Sequence, residues 1–353
     1  MRPPPVVVRR AVIDPIWLPL AITVALMLLL VAGAGVLVAP LTRRRRRRPL
    51  RLALFGALYL LLDVGMLICC ALLWLRYPLP HRRDQARWSA AHQALLRRAL
   101  ALLISAARPL FGFRVELLEP PDGHRAIGRP LLVLARHGGP GDSFALVELL
   151  MSCYRRRPVI VAKQTLRWDP GLDILLGRLP SCFVARGERT RVPERLADLA
   201  RSMQVNDAML LFPEGGNWTP HRHGRAIARL HRAGRRQAAA DAADNPNVLP
   251  PQPSGLLACL QARPDLDVAV VAHTGLEDLV STALVWRSLP VDDPMIVRWW
   301  YTPASSLPAS EAGRREWLRL EWAVIDSWID ARKAARIPAA VASLSPEGAV
   351  RAK

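Results

Sequence analysis

Between Ile16 and Ala39 the chain carries no charged residue for 24 positions. At about 1.5 Å per residue a helix of that length crosses a ~30 Å hydrocarbon core with some tilt. The run is too long for the apolar part of a signal peptide, and no small-residue cleavage site follows it. Six consecutive arginines come next, Arg43 to Arg48. A second apolar run extends from Leu52 to Leu75, interrupted by Asp63 and by Gly56 and Gly65. The first segment is expected to insert. The second is open to three readings: a span, a re-entrant segment, or one lying in the interface. The positive-inside rule puts Arg43–Arg48 in the cytoplasm. If only the first segment spans, with the N-terminus outside, the rest of the chain is cytoplasmic as well. If both span, it lies outside. A mid-membrane Asp costs roughly 2.5–3.5 kcal/mol on insertion scales, which favours a second segment that does not cross. The expectation is an integral membrane protein with the remainder of the chain facing the cytoplasm.

Charge agrees with a lipid surface. The chain has 353 residues, is 51% hydrophobic and has a net charge of +20. Residues 1–88 alone hold 14 Arg against Asp14, Asp63 and Asp84. Arginines beside apolar runs meet lipid phosphates first. Arg43–Arg48 lacks the interleaved aromatics that stack on bases, so nucleic acid is not an expected partner. The five cysteines show no paired spacing, which supports neither a disulfide framework nor a zinc site. His221, His223 and His231 stand beside Arg222 and Arg225, whose charges oppose a cation; no metal is expected.

Beyond the membrane segment the pattern changes. Gln85 to Leu110 is helical and rich in Ala, Leu and Arg. Short apolar runs then alternate with helical stretches. Strands are expected at Phe113–Leu118, Leu131–Ala135, Val159–Ala162, Cys182–Ala185, Ala208–Phe212, Val268–Ala272 and Met295–Trp300. Helices are expected at Ser143–Tyr154, Val192–Gln204, Ala226–Ala243, Leu276–Ser288 and Glu311–Ala335. Such alternation predicts an α/β domain with a mostly parallel sheet flanked by helices. On the last helix Leu318, Trp322, Ile325 and Ile329 share one face, which predicts core packing. The expected division is a membrane anchor over 1–80, an α/β domain over 81–336 and a weakly patterned, flexible tail over 337–353.

Three constellations could carry chemistry. After Leu131–Ala135 the chain reads Arg136-His137-Gly138-Gly139-Pro140-Gly141-Asp142. A His at a strand end, a tight Gly/Pro loop and an acid at a helix start bring imidazole and carboxylate together. The carboxylate can hold one ring nitrogen and leave the other free to take a proton. The plainer alternative makes Asp142 a helix cap and His137 a loop residue. Next, the strand Cys182–Ala185 delivers Arg186, a residue type suited to gripping phosphate with two parallel hydrogen bonds. Finally, Leu210-Leu211-Phe212-Pro213-Glu214-Gly215-Gly216-Asn217 ends an apolar strand in a carboxylate and flexible backbone, at the edge where α/β sheets build their sites. His-Gly-Gly-Pro-Gly also looks like an oxyanion loop of α/β-hydrolases. That esterase reading needs a Gly-x-Ser-x-Gly elbow, and none of Ser181, Ser202 and Ser254 has the flanking glycines. A third alternative is a non-catalytic scaffold binding anionic lipids.

In this order the three resemble the glycerolipid acyltransferase superfamily of the lysophosphatidic acid acyltransferase (PlsC) type. Its His-x4-Asp motif falls on His137 and Asp142. Its aromatic-aliphatic strand ending in Arg falls on Phe183, Val184 and Arg186, and its Phe-Pro-Glu-Gly motif on Phe212 to Gly215. Ala162-Lys163-Gln164-Thr165-Leu166 is similar to a stretch between the first two motifs. Asn247 to Leu256 is similar to a fourth motif of the longer-chain, lysocardiolipin-like branch. The resemblance covers roughly Leu131 to Ala272. One departure stands out: Gly216-Asn217-Trp218-Thr219 follows Gly215, so the common third-motif Arg is absent, and Arg222 and Arg225 are the candidates to replace it.

The resemblance implies acyl transfer from acyl-CoA or acyl carrier protein to the hydroxyl of a lysophospholipid such as lysophosphatidic acid. His137 would be the general base and Asp142 its orienting carboxylate. Arg186, with Lys163, would hold the lysolipid phosphate. Glu214, Gly215 and Gly216 would shape the acceptor or oxyanion site. No cofactor beyond the acyl donor is implied, and membrane lipids are the surrounding partners.

Overall fold

A computed structural model describes residues 3–38, 47–77, 84–118, 128–139, 141–185, 191–277 and 282–344. In chain order, α1 (Val6–Val8), a π-helical turn (Arg9–Ile13) and α2 (Asp14–Val38) run on as one rod, and α3 (Arg48–Arg76) and α4 (Gln85–Phe111) follow. Then come β1 (Val115–Leu117), β2 (Leu131–Ala135), α5 (Asp142–Ser152), β3 (Arg157–Lys163), α6 (Pro170–Leu176), β4 (Ser181–Val184), α7 (Arg191–Ser202) and β5 (Asp207–Leu211). The chain continues through α8 (Pro220–Arg232), α9 (Arg236–Asp244), α10 (Ser254–Ala262), β6 (Asp267–Thr274), α11 (Thr282–Ser288), β7 (Met295–Thr302) and α12 (Glu311–Leu344).

The seven strands form one sheet in the order β1-β7-β6-β2-β5-β3-β4. β2, β3, β4, β5 and β6 are parallel; β7 runs antiparallel to β6, and β1 is parallel to β7. All five residues of β2 are buried, as a strand covered on both faces requires. Leu131, Val133 and Ala135 face a layer that includes α5 and α6, with Leu96 and Leu100 of α4 and Met66 and Cys70 of α3. Leu132 and Leu134 face α7, α10 and α12. Leu318, Trp322, Ile325 and Ile329 of α12 are part of that second layer, as their spacing predicts.

Every expected strand forms; the helices differ in places. The stretch expected as one helix over Ala226–Ala243 is two, because Gly234 turns the chain at φ +70° between α8 and α9. Thr219 caps α8 by accepting from Arg222 N–H, with Pro220 at the first position, so α8 starts six residues earlier than expected. The expected helix over Leu276–Ser288 is described only as α11; residues 278–281 lie outside the described part. α12 continues to Leu344, into the segment expected as a tail. Two short helices, α6 and α10, were not expected. Asp169 caps α6, accepting from Leu172 N–H at 3.0 Å, with Pro170 at its first position.

α6 is where the N-terminal segment docks. α2 and α3 form an antiparallel hairpin whose contact face carries small residues: Ala21, Ala25 and Ala32 against Ala53 and Ala57. Small side chains let apolar helices approach closely. Asp63, halfway along α3, is fully buried. It accepts from Trp17 Nε1 at 2.6 Å and from Gly171 N–H of α6 at 2.8 Å. A Cβ on Gly171 would sit 2.1 Å from Asp63 Oδ1, so only glycine admits the carboxylate. Tyr59 of α3 donates to Asp169. At the hairpin's other corners, Arg9 and Arg10 pair with Asp173 of α6 at 2.9 and 2.8 Å, and Arg48 donates to the carbonyls of Leu289 and Arg287. Both ends of the hairpin are thus bonded to the α/β domain. Its outer flank is apolar and exposed, including Ile16, Leu20, Val24, Met27, Leu30 and Val31 of α2 and Leu72 and Leu75 of α3.

Candidate active site

The parallel strands end along one edge, and β2 leaves at the centre of the sheet. Leu131 and Leu134 pair with Ala208 and Leu211 of β5, and Leu131 and Ala135 with Asp267 and Val271 of β6. Carrying both registers past the strand ends sets His137 level with Glu214 on one side and His273 on the other. Lys163 closes β3, the strand beyond β5. Arg186, two positions past the end of β4, lies outside the described residues.

His137 Nδ1 and Asp142 Oδ2 are 2.8 Å apart. Asp142 is the first residue of α5, and Gly141, at φ +91°, takes the capping position that the plainer sequence reading gave to Asp142. The carboxylate is fully buried. Its Oδ1 accepts from Ser143 N–H at 2.6 Å and Ser143 Oγ at 3.1 Å; Oδ2 also accepts from Gly139 N–H at 3.3 Å. Burial would raise its pKa, but the hydrogen bonds from His137 and His273 prevail and hold it well below the usual carboxylate range. Asp142 therefore stays ionised beside the imidazole. The His137 ring stacks on Phe212, centroids 4.4 Å apart at 32°. Its Nε2 has no hydrogen-bond partner among the described residues, so the pair presents a nitrogen able to accept a proton.

The two loop glycines are required by space. A Cβ on Gly138 would stand 2.6 Å from Arg136 Nη1 and 2.8 Å from His273 Cε1; one on Gly139 would stand 2.5 Å from the Leu276 carbonyl oxygen. Arg136 is fully buried behind this loop. It donates twice to the Asn247 carbonyl, at 3.1 and 2.9 Å, once to the His273 carbonyl at 2.8 Å and once to Glu277 Oε1 at 2.6 Å. Arg136, His273 and Glu277 were not singled out from the sequence. The one available signal was an imidazole near the end of an otherwise apolar buried strand, Asp267-Val-Ala-Val-Val-Ala-His-Thr274.

Glu214 faces inward. Its Oε2 accepts from Leu249 N–H and its Oε1 from Trp322 Nε1, both at 3.3 Å. It ties the Phe212–Gly216 turn to the Asn247 loop and to α12. Burial pushes its carboxyl up to about 8, against the opposing Arg136 charge and the hydrogen bonds from Leu249, Trp322 and the His137 backbone. The ordinary value is 4.5, so the folded state binds a proton more tightly than the unfolded chain. This group's stabilising effect is complete below pH 4.5 and is lost as pH rises towards 8. Glu214→Gln, which keeps the neutral shape, is expected to flatten that dependence. Urea midpoints at pH 5 and pH 8 should lie closer together in the variant than in the parent; an unchanged gap would place the titration elsewhere.

Gly215 adopts φ +69° and its N–H closes the turn onto the Phe212 carbonyl at 3.0 Å. The Gly216 N–H has no partner among the described residues. Arg222 reaches this loop: its Nη1 donates to the Asn217 carbonyl at 3.1 Å and would lie 2.5 Å from a Cβ on Gly216. Lys163 is close enough to feel both Arg222 and Asp142. Partial burial of its ammonium and the Arg222 charge lower its pKa, while Asp142 raises it. Trp218 closes the edge, donating its backbone N–H to the His137 carbonyl at 2.7 Å.

Comparison with known proteins bears on this edge. Residues 116–251 match the family model described as Acyltransferase. Over 108 residues the chain is 31% identical to the 1-acyl-sn-glycerol-3-phosphate acyltransferase of Haemophilus influenzae, a stretch covering 30% of this chain and 42% of that relative. The match thus spans less than half the length of the curated relative. The crystal structure of the 1-acyl-sn-glycerophosphate (LPA) acyltransferase PlsC from Thermotoga maritima is similar at 15% identity and a TM-score of 0.48, over 78% of this chain and 97% of that one. The match to the Acyltransferase family model takes in β2, the His137–Asp142 pair and the Phe212–Gly215 turn.

Proposed function

We propose that this chain moves a fatty acyl group from acyl-CoA or acyl carrier protein to the free hydroxyl of a lysophospholipid such as lysophosphatidic acid. The observation that carries this reading is the His137–Asp142 pair, with one imidazole nitrogen held by a buried carboxylate and the other unengaged. His137 Nε2 takes the acceptor's hydroxyl proton as that oxygen attacks the thioester carbon. Asp142 keeps the proton of Nδ1 in place and stabilises the imidazolium. When the tetrahedral intermediate collapses, the C–S bond breaks and the imidazolium returns the proton to the sulfur. The products are the acylated lipid and a free thiol, with no acyl-enzyme.

In this reading Lys163, Arg222 and Arg186 hold the acceptor phosphate, and the Gly216 N–H faces the developing oxyanion. Glu214 acts through the turn it fastens. The membrane role is carried by the hairpin. With Asp63 bonded to Gly171 and Arg9 to Asp173, α2 and α3 sink their exposed flank into one leaflet rather than crossing, and the N-terminus stays on the domain's side. In this reading Ile16–Ala39 lies within one leaflet, where the sequence alone predicts a span, and both α2 and α3 are long and apolar enough to cross. The site then opens where a lysolipid resides, on the cytoplasmic face that acyl-CoA reaches.

The test is acyl transfer in sealed vesicles. Inside-out membranes containing the protein, given labelled acyl-CoA or acyl carrier protein and a panel of lysolipids, should form labelled diacyl lipid. Sealed right-side-out membranes should form it only after permeabilisation. Transfer to no lysolipid with either donor would reject the activity, and transfer in sealed right-side-out membranes would reject the orientation.

A further inference from the structure

β6 is a fully buried strand of mostly apolar residues that ends in His273-Thr274. The His273 ring has no exposure to solvent. Its Nε2 lies 3.0 Å from the Arg136 carbonyl oxygen and 3.4 Å from Asp142 Oδ2. Its Nδ1 is buried without a hydrogen-bond partner. These facts assign the tautomer. An orphaned buried N–H is costlier and rarer than an orphaned lone pair, so Nδ1 is bare and the proton is on Nε2. That one N–H sits between two acceptors, a carbonyl and the carboxylate that orients His137.

The ring is held there from several sides. Arg136 Nη1 donates to the His273 carbonyl at 2.8 Å, and the same guanidinium reaches Glu277 and Asn247. Gly138 leaves the space the ring needs, since its Cβ would come within 2.8 Å of His273 Cε1. The strand register sets His273 level with His137 on the neighbouring strand.

We infer that His273 is a positioning residue for the His137–Asp142 pair: its Nε2–H, shared with the Arg136 carbonyl, fixes the Asp142 rotamer and draws off part of the negative charge that Oδ2 presents to His137. This rests on the acyl-transfer reading of His137. Asp142 Oδ2 then faces three donors, from His137, His273 and Gly139, for the two lone pairs of one oxygen. Each donor tempers the others. Without His273, Oδ2 would offer His137 a fuller negative charge. The carboxylate would also be free to swing, and loss of alignment at a reacting group is costly in rate.

Three measurements test this on the full chain in vesicles. In His273→Leu, kcat should fall about 10–100-fold with little change in the acyl-donor KM, and the acid limb of the kcat/KM profile should move to higher pH. His273→Gln, whose amide can donate from near the Nε2 position, should restore most of the rate and return the limb towards its original position. In protein labelled with ¹⁵N-histidine, the resonance lost in His273→Gln should show a protonated Nε2 and a bare Nδ1 at neutral pH. A lower rate in His273→Leu with an unmoved limb and no rescue by Gln would reduce His273 to a packing residue. A protonated Nδ1 would overturn the inference even if the Leu variant failed to fold. Full activity in His137→Ala would instead overturn the general-base reading, separately from any result at His273.

Discussion

Replacing His137 by alanine is expected to lower acyl transfer by about 10²–10⁴-fold, the range associated with loss of a positioned general base. Cooperative unfolding should survive. Asp142 keeps its bonds from Ser143 and Gly139 after the ring is removed, so no orphaned buried carboxylate results. The lost stacking on Phe212 removes apolar contact but no hydrogen bond. Turnover with labelled acyl donor, read beside a urea titration of the same preparation, separates chemistry from folding. Near-normal turnover in a folded variant would sink the mechanism.

The second large effect is on stability. Arg136→Met removes a guanidinium that satisfies Asn247, His273 and Glu277 at once, in a place without solvent. Breaking a buried ion pair from one side typically costs about 3–5 kcal/mol, because the remaining charge is stranded. The stranded group here is Glu277. Burial alone would raise its carboxyl, but the Arg136 charge and hydrogen bond pull it down to about 2. In the parent, this depressed pKa contributes stability that is present above the ordinary value of 4.5 and is lost as pH falls towards 2. In Arg136→Met the sign reverses. Glu277 then favours protonation in the folded state, and the variant's deficit should shrink as pH drops from 7 to 5. Adding Glu277→Met should recover much of the loss, since removing both partners is far milder than removing one. A single-variant deficit under about 1 kcal/mol, flat with pH, would mean that Glu277 finds another partner.

What could be read from the chain alone was whatever depends on neighbours in sequence. The five apolar residues Leu131–Ala135, followed by a Gly/Pro loop, read as a short buried strand. Six residues spanning a Gly/Pro loop bring His137 to Asp142 with no distant element involved. The orientation of Glu214 was of a different kind. Its position at the end of a buried strand was legible, but its carboxyl turns towards Leu249 N–H and the Trp322 indole, and α12 is brought alongside only by the packed sheet. Asp63 shows the same division. By sequence it is a charge in an apolar run with a cost to the membrane. Its partners, Trp17 and Gly171, stand 46 and 108 residues away, and they turn it from an interruption into the bolt between hairpin and domain. His273 was hidden for the same reason, being 137 residues from the carbonyl it bonds.

Local periodicity and turn chemistry thus determined the strands, the sheet type and the His137–Asp142 pair, because their energetics close within a few residues. Which buried polar groups meet was decided by strand order. That order places β6 and β5 on either side of β2, and a buried donor or acceptor is stable only where the assembled sheet supplies its partner.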